Sequence, residues 1–218
     1  PTVLSYLFTN PLSFLIFLAA LFLAISIHEA AHAWAADRLG DPTARFSGRL
    51  TLNPFAHLDP LGTLMLFLFG FGWGKPVPVD YYNLRQPRRD AALISLAGPL
   101  SNLVLAIFIS LVWRLGIYLS PPSGQILSFF FFPLLQLNLV LGVFNLLPLN
   151  PLDGGKILTG LLPSPQSEAV ESFLESYSLI LLILLFLPLF GGYSLLDFII
   201  SPLINFFQTL LTPHSFLL

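Results

Sequence analysis

The chain of 218 residues contains no cysteine and one methionine. That absence removes disulfides, thiolate metal sites and cysteine nucleophiles together, and leaves the redox compartment open. Charge is almost as scarce. Nine Lys and Arg and 11 Asp and Glu make up 9% of the chain, against about 25% in an ordinary soluble domain. With 56% hydrophobic residues, 22 of them Phe across the chain, there is too little polar surface to cover a water-soluble globule. Disorder is excluded by the same figures, since disordered chains are poor in apolar residues and rich in charge. A formal net charge of −2 offers no basic field for nucleic acid. What remains is an integral membrane protein with the lipid bilayer as its surroundings. In such a chain every charge within an apolar stretch needs a reason. Glu29 is the only Asp, Glu, Lys or Arg among residues 1–36.

Residues 11–36, 91–113 and 126–149 are each long enough to cross ~30 Å of hydrocarbon as helices. Residues 178–211 are also apolar, but Gly191-Gly192 and Pro188, Pro202 and Pro213 leave one span or two short ones open. A cleaved signal peptide is disfavoured for the first span, because residues 1–10 carry no Lys or Arg. The apolar stretch 61–73 is too short to cross and suits a re-entrant or interfacial piece. The cations test it. If 61–73 crossed, Arg38, Arg45, Arg49 and Arg114 would face Lys75, Arg85, Arg88, Arg89 and Lys156 across the membrane, with no orientation signal. If it dips in and returns, all but Arg114 lie on one side, as the positive-inside rule prefers. The expectation is an N-terminus outside, with loops 37–90 and 150–177 cytoplasmic. The class is an all-α polytopic membrane protein of about four to six transmembrane helices with a re-entrant segment. No repeat or separate soluble domain interrupts residues 1–218, which read as one domain. Residues 163–176, with Glu168, Glu171 and Glu175, predict a short interfacial helix capped near Ser164 or Ser167.

His28-Glu29-Ala30-Ala31-His32 is an H-E-x-x-H pattern at the end of the first span. On a helix, positions four apart lie ~40° apart in direction and ~6 Å in height, so two imidazoles can grip one ion. Glu29, beside the first ligand, can reach a water on that ion as general base. A carboxylate and two imidazoles inside an apolar helix cost several kcal/mol unless paired or ligated. A hydrogen-bonded polar cluster without metal is the plainer alternative. A catalytic zinc takes three protein ligands and a water. Asp153, in Asn145-Leu-Leu-Pro-Leu-Asn-Pro-Leu-Asp153-Gly-Gly, lies by the charge-derived topology on the same side as the HEAAH end of the first helix. Taken alone, Asp-Gly-Gly after a helix reads as a turn.

HEAAH, followed in order by LTLNPFAHLDPLGT, GWGKPVPV, AGPLSN and FNLLPLNPLDGG, resembles the site-2 protease family of intramembrane zinc metalloproteases. The likeness covers residues 28–155 and is to the compact prokaryotic type without PDZ or CBS domains. It implies one Zn2+ per chain, held by His28, His32 and Asp153, with Glu29 as catalytic base. Asn145 matches the family asparagine thought to bind substrate backbone or the oxyanion. The resemblance also implies that Lys75-Pro76-Val77-Pro78-Val79 forms a short membrane-associated β-hairpin or loop that presents an edge to unwound substrate. The implied substrates are single-span membrane proteins cut within or near the bilayer, in regulated intramembrane proteolysis. The implied setting is a prokaryotic inner membrane, with the active site near the cytoplasmic face. Oligomeric state is not legible. His57 is a group that supports the metal ligands from behind, a transient ligand, a substrate contact or a structural loop histidine bonded to Asp59 or backbone. His214, in a proline-marked tail, carries no assigned role. Ala97-Gly98-Pro99, with Asn102 nearby, predicts close packing of the second span beside the first. Two other functions compete: a catalytically silent scaffold that binds membrane segments, and a metal or proton transporter using Glu29 and Asp153 as a relay.

Overall fold

The computed structural model describes residues 7–69 and 72–213, so His214 and positions 70–71 of the short apolar stretch lie outside the described residues. Helix α1 (Pro11–Leu39) begins where the Asn10 side chain accepts from Ser13 N at 3.1 Å. Pro11 takes the first position, where its missing N–H leaves no bond unmade. It ends at Gly40, whose φ of +111° is a left-handed cap that glycine adopts without strain. The buried positions Ala20, Ala24, His28, His32 and Ala36 recur every four residues. One small-residue stripe therefore carries both histidines into the interior.

The chain turns sharply after α1. Asp41, fully buried, accepts from Thr43 N at 3.1 Å, Asp80 N at 2.8 Å and Asn83 Nδ2 at 2.9 Å. Burial alone would raise its pKa, but these hydrogen bonds prevail and hold it below the usual carboxylate range. This buried carboxylate ties the bend after α1 to residues 80–83 of the same loop region.

Helix α2 (Pro60–Phe69) is the short apolar segment. Its chain enters at Leu58 and leaves at Gly74, and these two residues form an antiparallel bridge. Lys75 N donates to His57 O at 2.8 Å. The excursion starts and finishes at one level, as the cation count requires. Of the hairpin or loop expected at Lys75–Val79, the structure has the loop: an extended segment that follows the Leu58–Gly74 bridge and is tied down by Lys75 N to His57 O and by Arg49 Nη2 to Lys75 O. With prolines at 76 and 78, alternate positions have no N–H to build a ladder. Val77 and Val79 turn partly inward, Val79 against Ala35, Ala36, Leu84 and Ile94, while Lys75, Pro76 and Pro78 are exposed.

Helix α3 (Pro87–Leu119) lies between α1 and α4 (Gly124–Asn145) and packs on both. Ala106 and Ile109 of α3 close a core with Leu135 and Leu139 of α4. Beyond α4 come α5 (Asp153–Leu161), α6 (Ser164–Phe186), a two-stranded hairpin of β1 (Pro188–Phe190) and β2 (Tyr193–Ser194), and α7 (Leu195–Leu211). The hairpin turns on Gly191 and Gly192, both at positive φ, the conformation a two-residue turn of this kind demands. α7 starts with a capping box between Ser194 and Asp197. Residues 178–211 are thus two helices around a turn.

The short interfacial helix expected at 163–176 is corrected. α6 runs unbroken to Phe186, since no proline or glycine falls between Gln166 and Leu187, and neither Ser164 nor Ser167 caps it. Ser167 Oγ donates instead to Thr159 O at 2.7 Å. Among the described residues, four helices, α1, α3, α4 with its preceding turn, and α6, have the length and apolar content to cross a membrane. The fold is an all-α polytopic membrane protein. The contacts of α6 set it apart from the other three. Glu168 reaches Arg88 at the start of α3, and Phe186 lies 6.1 Å from Phe144 at the end of α4. Both ends of α6 touch the same end of the bundle.

Candidate metal centre

Asp153 opens α5, which starts immediately after the turn 146–152 that ends α4. Its carboxylate stands at the positive end of a helix, and Gly155 behind it has no room for a Cβ, which would lie 3.1 Å from the Leu149 carbonyl carbon. The start of α5 is therefore pressed onto the turn, and Asp153 Oδ2 reaches the buried face of α1. It lies 3.1 Å from His28 Nε2 and 3.3 Å from His32 Nε2, while the two imidazole nitrogens are 3.0 Å apart. These atoms come from sequence positions 125 apart at the extremes, and they form a nearly equilateral triangle.

The outer sides of both rings are spoken for. His32 Nδ1 meets the Ile94 carbonyl at 2.7 Å. A carbonyl only accepts, so His32 Nδ1 carries the proton and Nε2 presents a lone pair. His28 is fixed through a longer chain of amides. Asn138 Nδ2 donates to Leu134 O at 2.8 Å, which turns Asn138 Oδ1 towards Asn102. Asn102 Nδ2 donates to that oxygen at 2.8 Å and to Ala24 O at 3.1 Å, leaving Asn102 Oδ1 to face His28 Nδ1 at 2.6 Å. His28 Nδ1 is therefore the donor, and its Nε2 also presents a lone pair. Both asparagines are fully buried.

Two imidazole lone pairs and a carboxylate oxygen thus converge with nothing between them to relieve the repulsion. A shared proton would join only two of the three. A tetrahedral cation with bonds near 2.0–2.1 Å has ligand–ligand edges of ~3.3 Å, close to the triangle observed. The donor set fits zinc. Gly98 of α3 is what lets the rings sit there. A Cβ at that position would lie 2.7 Å from His28 Nε2 and closer still to the His32 ring. The Ala97-Gly98-Pro99 motif is a close approach to the histidines themselves.

Glu29 is half-buried, next to the cluster on α1, and faces Gly74. A Cβ at Gly74 would lie 3.8 Å from Glu29 Oε1. Asn145 is not drawn into the trio: in the last turn of α4 its Nδ2 donates to Leu141 O at 3.0 Å. His57 is fully buried, and its Nε2 donates to Thr51 O at 2.8 Å rather than to Asp59. Asp59 instead accepts from Gly62 N at 2.7 Å at the start of α2. Sequence reasoning missed the bond from Asn102 to His28, and it missed Asn138 altogether. The available signal was two amides within otherwise apolar spans, where polar side chains find partners across helices. Beside the HEAAH turn lies an apolar cavity of about 680 Å³, lined by Ala30 and Ala31 of α1, Leu50 and Leu52, and Ala97 and Leu100 of α3.

The model of peptidase family M50 matches residues 16–120 and 115–187. The chain is 43% identical over 190 residues to YwhC of Bacillus subtilis, which carries a zinc-metalloprotease name, covering 85% of this chain and 86% of that one. It is 34% identical over 189 residues to Rip2 of Mycobacterium tuberculosis, similarly named, covering 83% and 70%. It is 29% identical over 162 residues to MJ0611 of Methanocaldococcus jannaschii, also named for a zinc metalloprotease, covering 71% and 77%. No solved structure matches. The chain therefore belongs to peptidase family M50, the site-2 protease family of membrane zinc metalloproteases whose motifs its sequence carries.

Proposed function

We propose that the protein is an intramembrane endopeptidase that cuts single-span membrane proteins within or near the bilayer, in regulated intramembrane proteolysis. The observation that carries this reading is the triangle of unprotonated ligand atoms with Glu29 one residue away. His28, His32 and Asp153 would hold one Zn2+, which supplies Lewis-acid polarisation of a peptide carbonyl and of a water. Every other step belongs to the chain. Glu29 takes the proton of the attacking water and passes it to the leaving amine. Asn145 turns its Nδ2 from Leu141 O to the developing oxyanion, a donor worth ~3 kcal/mol in comparable sites. Asn102 and Ile94 O keep the two imidazoles in the tautomer that presents Nε2 inward.

A helical substrate hides its carbonyls in i→i−4 bonds, so it must unwind before attack. The apolar cavity beside Ala30 and Ala31 suits an unwound apolar segment, because its walls are apolar and the HEAAH turn supplies part of them. Lys75, Pro76, Val77, Pro78 and Val79 would supply an extended edge close to the same base, with His57 beneath it. The cation distribution supports an N-terminus outside and a site near the cytoplasmic face of a prokaryotic inner membrane. The scaffold and transporter readings lose support from an acid–base–ligand set gathered in one place.

The test uses zinc-loaded wild type and Glu29→Gln in detergent with a labelled single-span membrane segment. Wild type is expected to cleave it and Glu29→Gln to fall by about 10²–10⁴-fold with zinc retained. Equal cleavage by the two proteins overturns the mechanism.

A further inference from the structure

Around Lys75, three buried polar atoms are left unspent. Arg49 is 4% exposed and His57 is 0% exposed. Among the described residues, Arg49 Nε and Nη1 and His57 Nδ1 have no hydrogen-bond partner. Buried groups in that state are rare in native proteins, and a guanidinium is the costliest kind to leave so.

Neither side chain is loose. Arg49 Nη2 donates to Lys75 O, and the amide on the other side of Lys75 donates to His57 O at 2.8 Å. His57 Nε2 donates to Thr51 O at 2.8 Å, so in the neutral ring Nδ1 presents a lone pair. The two residues are parts of one brace around Lys75. That brace stands against the base: a Cβ on Gly74 would lie 3.2 Å from His57 O and 3.8 Å from Glu29 Oε1. Burial pushes the Arg49 pKa down while the charge of Glu29 pulls it back up, which agrees with their closeness. Leu50, Thr51 and Leu52, following Arg49, form one wall of the apolar cavity.

Two donors and one acceptor, on side chains braced around Lys75, are complementary to a peptide group. A free anion would suit Arg49 but would meet the lone pair of His57 and the charge of Glu29. A main-chain amide brings both a carbonyl and an N–H. We propose that Arg49 and His57 contact the substrate backbone, Arg49 Nε and Nη1 receiving a carbonyl of the unwound segment and His57 Nδ1 accepting a neighbouring N–H. The ligand class is extended polypeptide recognised without regard to side chains. The inference rests on the endopeptidase reading and names how that site holds its substrate.

Two probes separate backbone contact from metal contact. Acetohydroxamate engages the metal alone, whereas N-acetyl-Leu-Leu-hydroxamate adds two peptide groups. Their Kd values are measured by calorimetry on zinc-loaded wild type, Arg49→Gln and Arg49→Lys. Wild type is expected to favour the peptide probe by roughly 100-fold, and Arg49→Gln to lose about tenfold of that preference with acetohydroxamate binding unchanged. Three results overturn the inference: an unchanged preference in Arg49→Gln, which leaves the Arg49 donors to water; no preference in wild type; or loss of acetohydroxamate binding, or of folding, in both variants, which makes Arg49 structural. A wild type that favours the peptide probe yet cleaves no membrane segment would instead sink the endopeptidase reading and leave the backbone contact standing.

Discussion

At the far end of α3, Arg114 Nε donates to Ser110 Oγ at 3.3 Å, and its Nη2 donates to Leu210 O and Thr212 O at 2.8 and 3.2 Å. Ser110 in turn donates to Leu211 O at 2.5 Å. At the other polar level of the bundle, His28, His32 and Asp153 aim three lone pairs at one point. Both clusters place costly polar groups among apolar helices, yet their logic is opposite. Around Arg114, Nε is taken by Ser110 Oγ, while Nη2 and the Ser110 hydroxyl find carbonyls at the C-terminal end of α7, which have no partner within their own helix. That cluster closes on itself and fastens α7 to α3. Around His28 the outer donors are matched with the same care, through Asn138, Asn102 and Ile94 O, but the matching leaves the inner face short of a positive centre. A polar cluster whose own atoms satisfy it is structural; one whose satisfied shell points an unsatisfied set inward is built for a ligand.

Substitutions can break this contrast. The largest effect is expected for Gly98→Ala. The added methyl would meet the His28 and His32 rings, so zinc affinity should fall by at least about 100-fold in a chelator competition. Wild-type affinity in that variant would mean that the rings do not sit against α3. The smallest effect is expected for Arg114→Met. It should lower thermal stability by about 1–2 kcal/mol in detergent, through lost caps on α7, with zinc content and cleavage unchanged. A loss of zinc there would dissolve the distinction between the two clusters.

The contrast also explains what the sequence could reveal. His28, Glu29, His32 and Asp153 were legible because ionisable groups are so scarce that each one stands out. The return of 58–74 was legible because charge counts are indifferent to local conformation, and the Leu58–Gly74 bridge has the geometry that the count demanded. Asn102 was read only as part of a packing motif, and Asn138 not at all. A neutral amide in an apolar run has no spacing pattern, and its partner 36 or 74 positions away is set by packing. α6 was cut short because Glu168, Glu171 and Glu175 drew attention to its first half, while the continuous backbone through Tyr177 and Ser178 gave no break. Its placement follows from tertiary contacts, such as Ser178 Oγ accepting from Asn150 N at 3.0 Å, which no local pattern encodes. The Lys75–Val79 segment was anticipated as hairpin or loop, and its prolines decide for the loop.

The central claim is that three residues from α1 and α5 form one zinc site. It is tested most directly by the zinc-to-protein ratio of purified wild type and Asp153→Ala after gel filtration with a chelator. The account predicts ~1 zinc per chain for wild type and a clear loss in Asp153→Ala, because two imidazoles alone hold the ion weakly. Equal zinc in the two proteins would contradict it and remove Asp153 from the site.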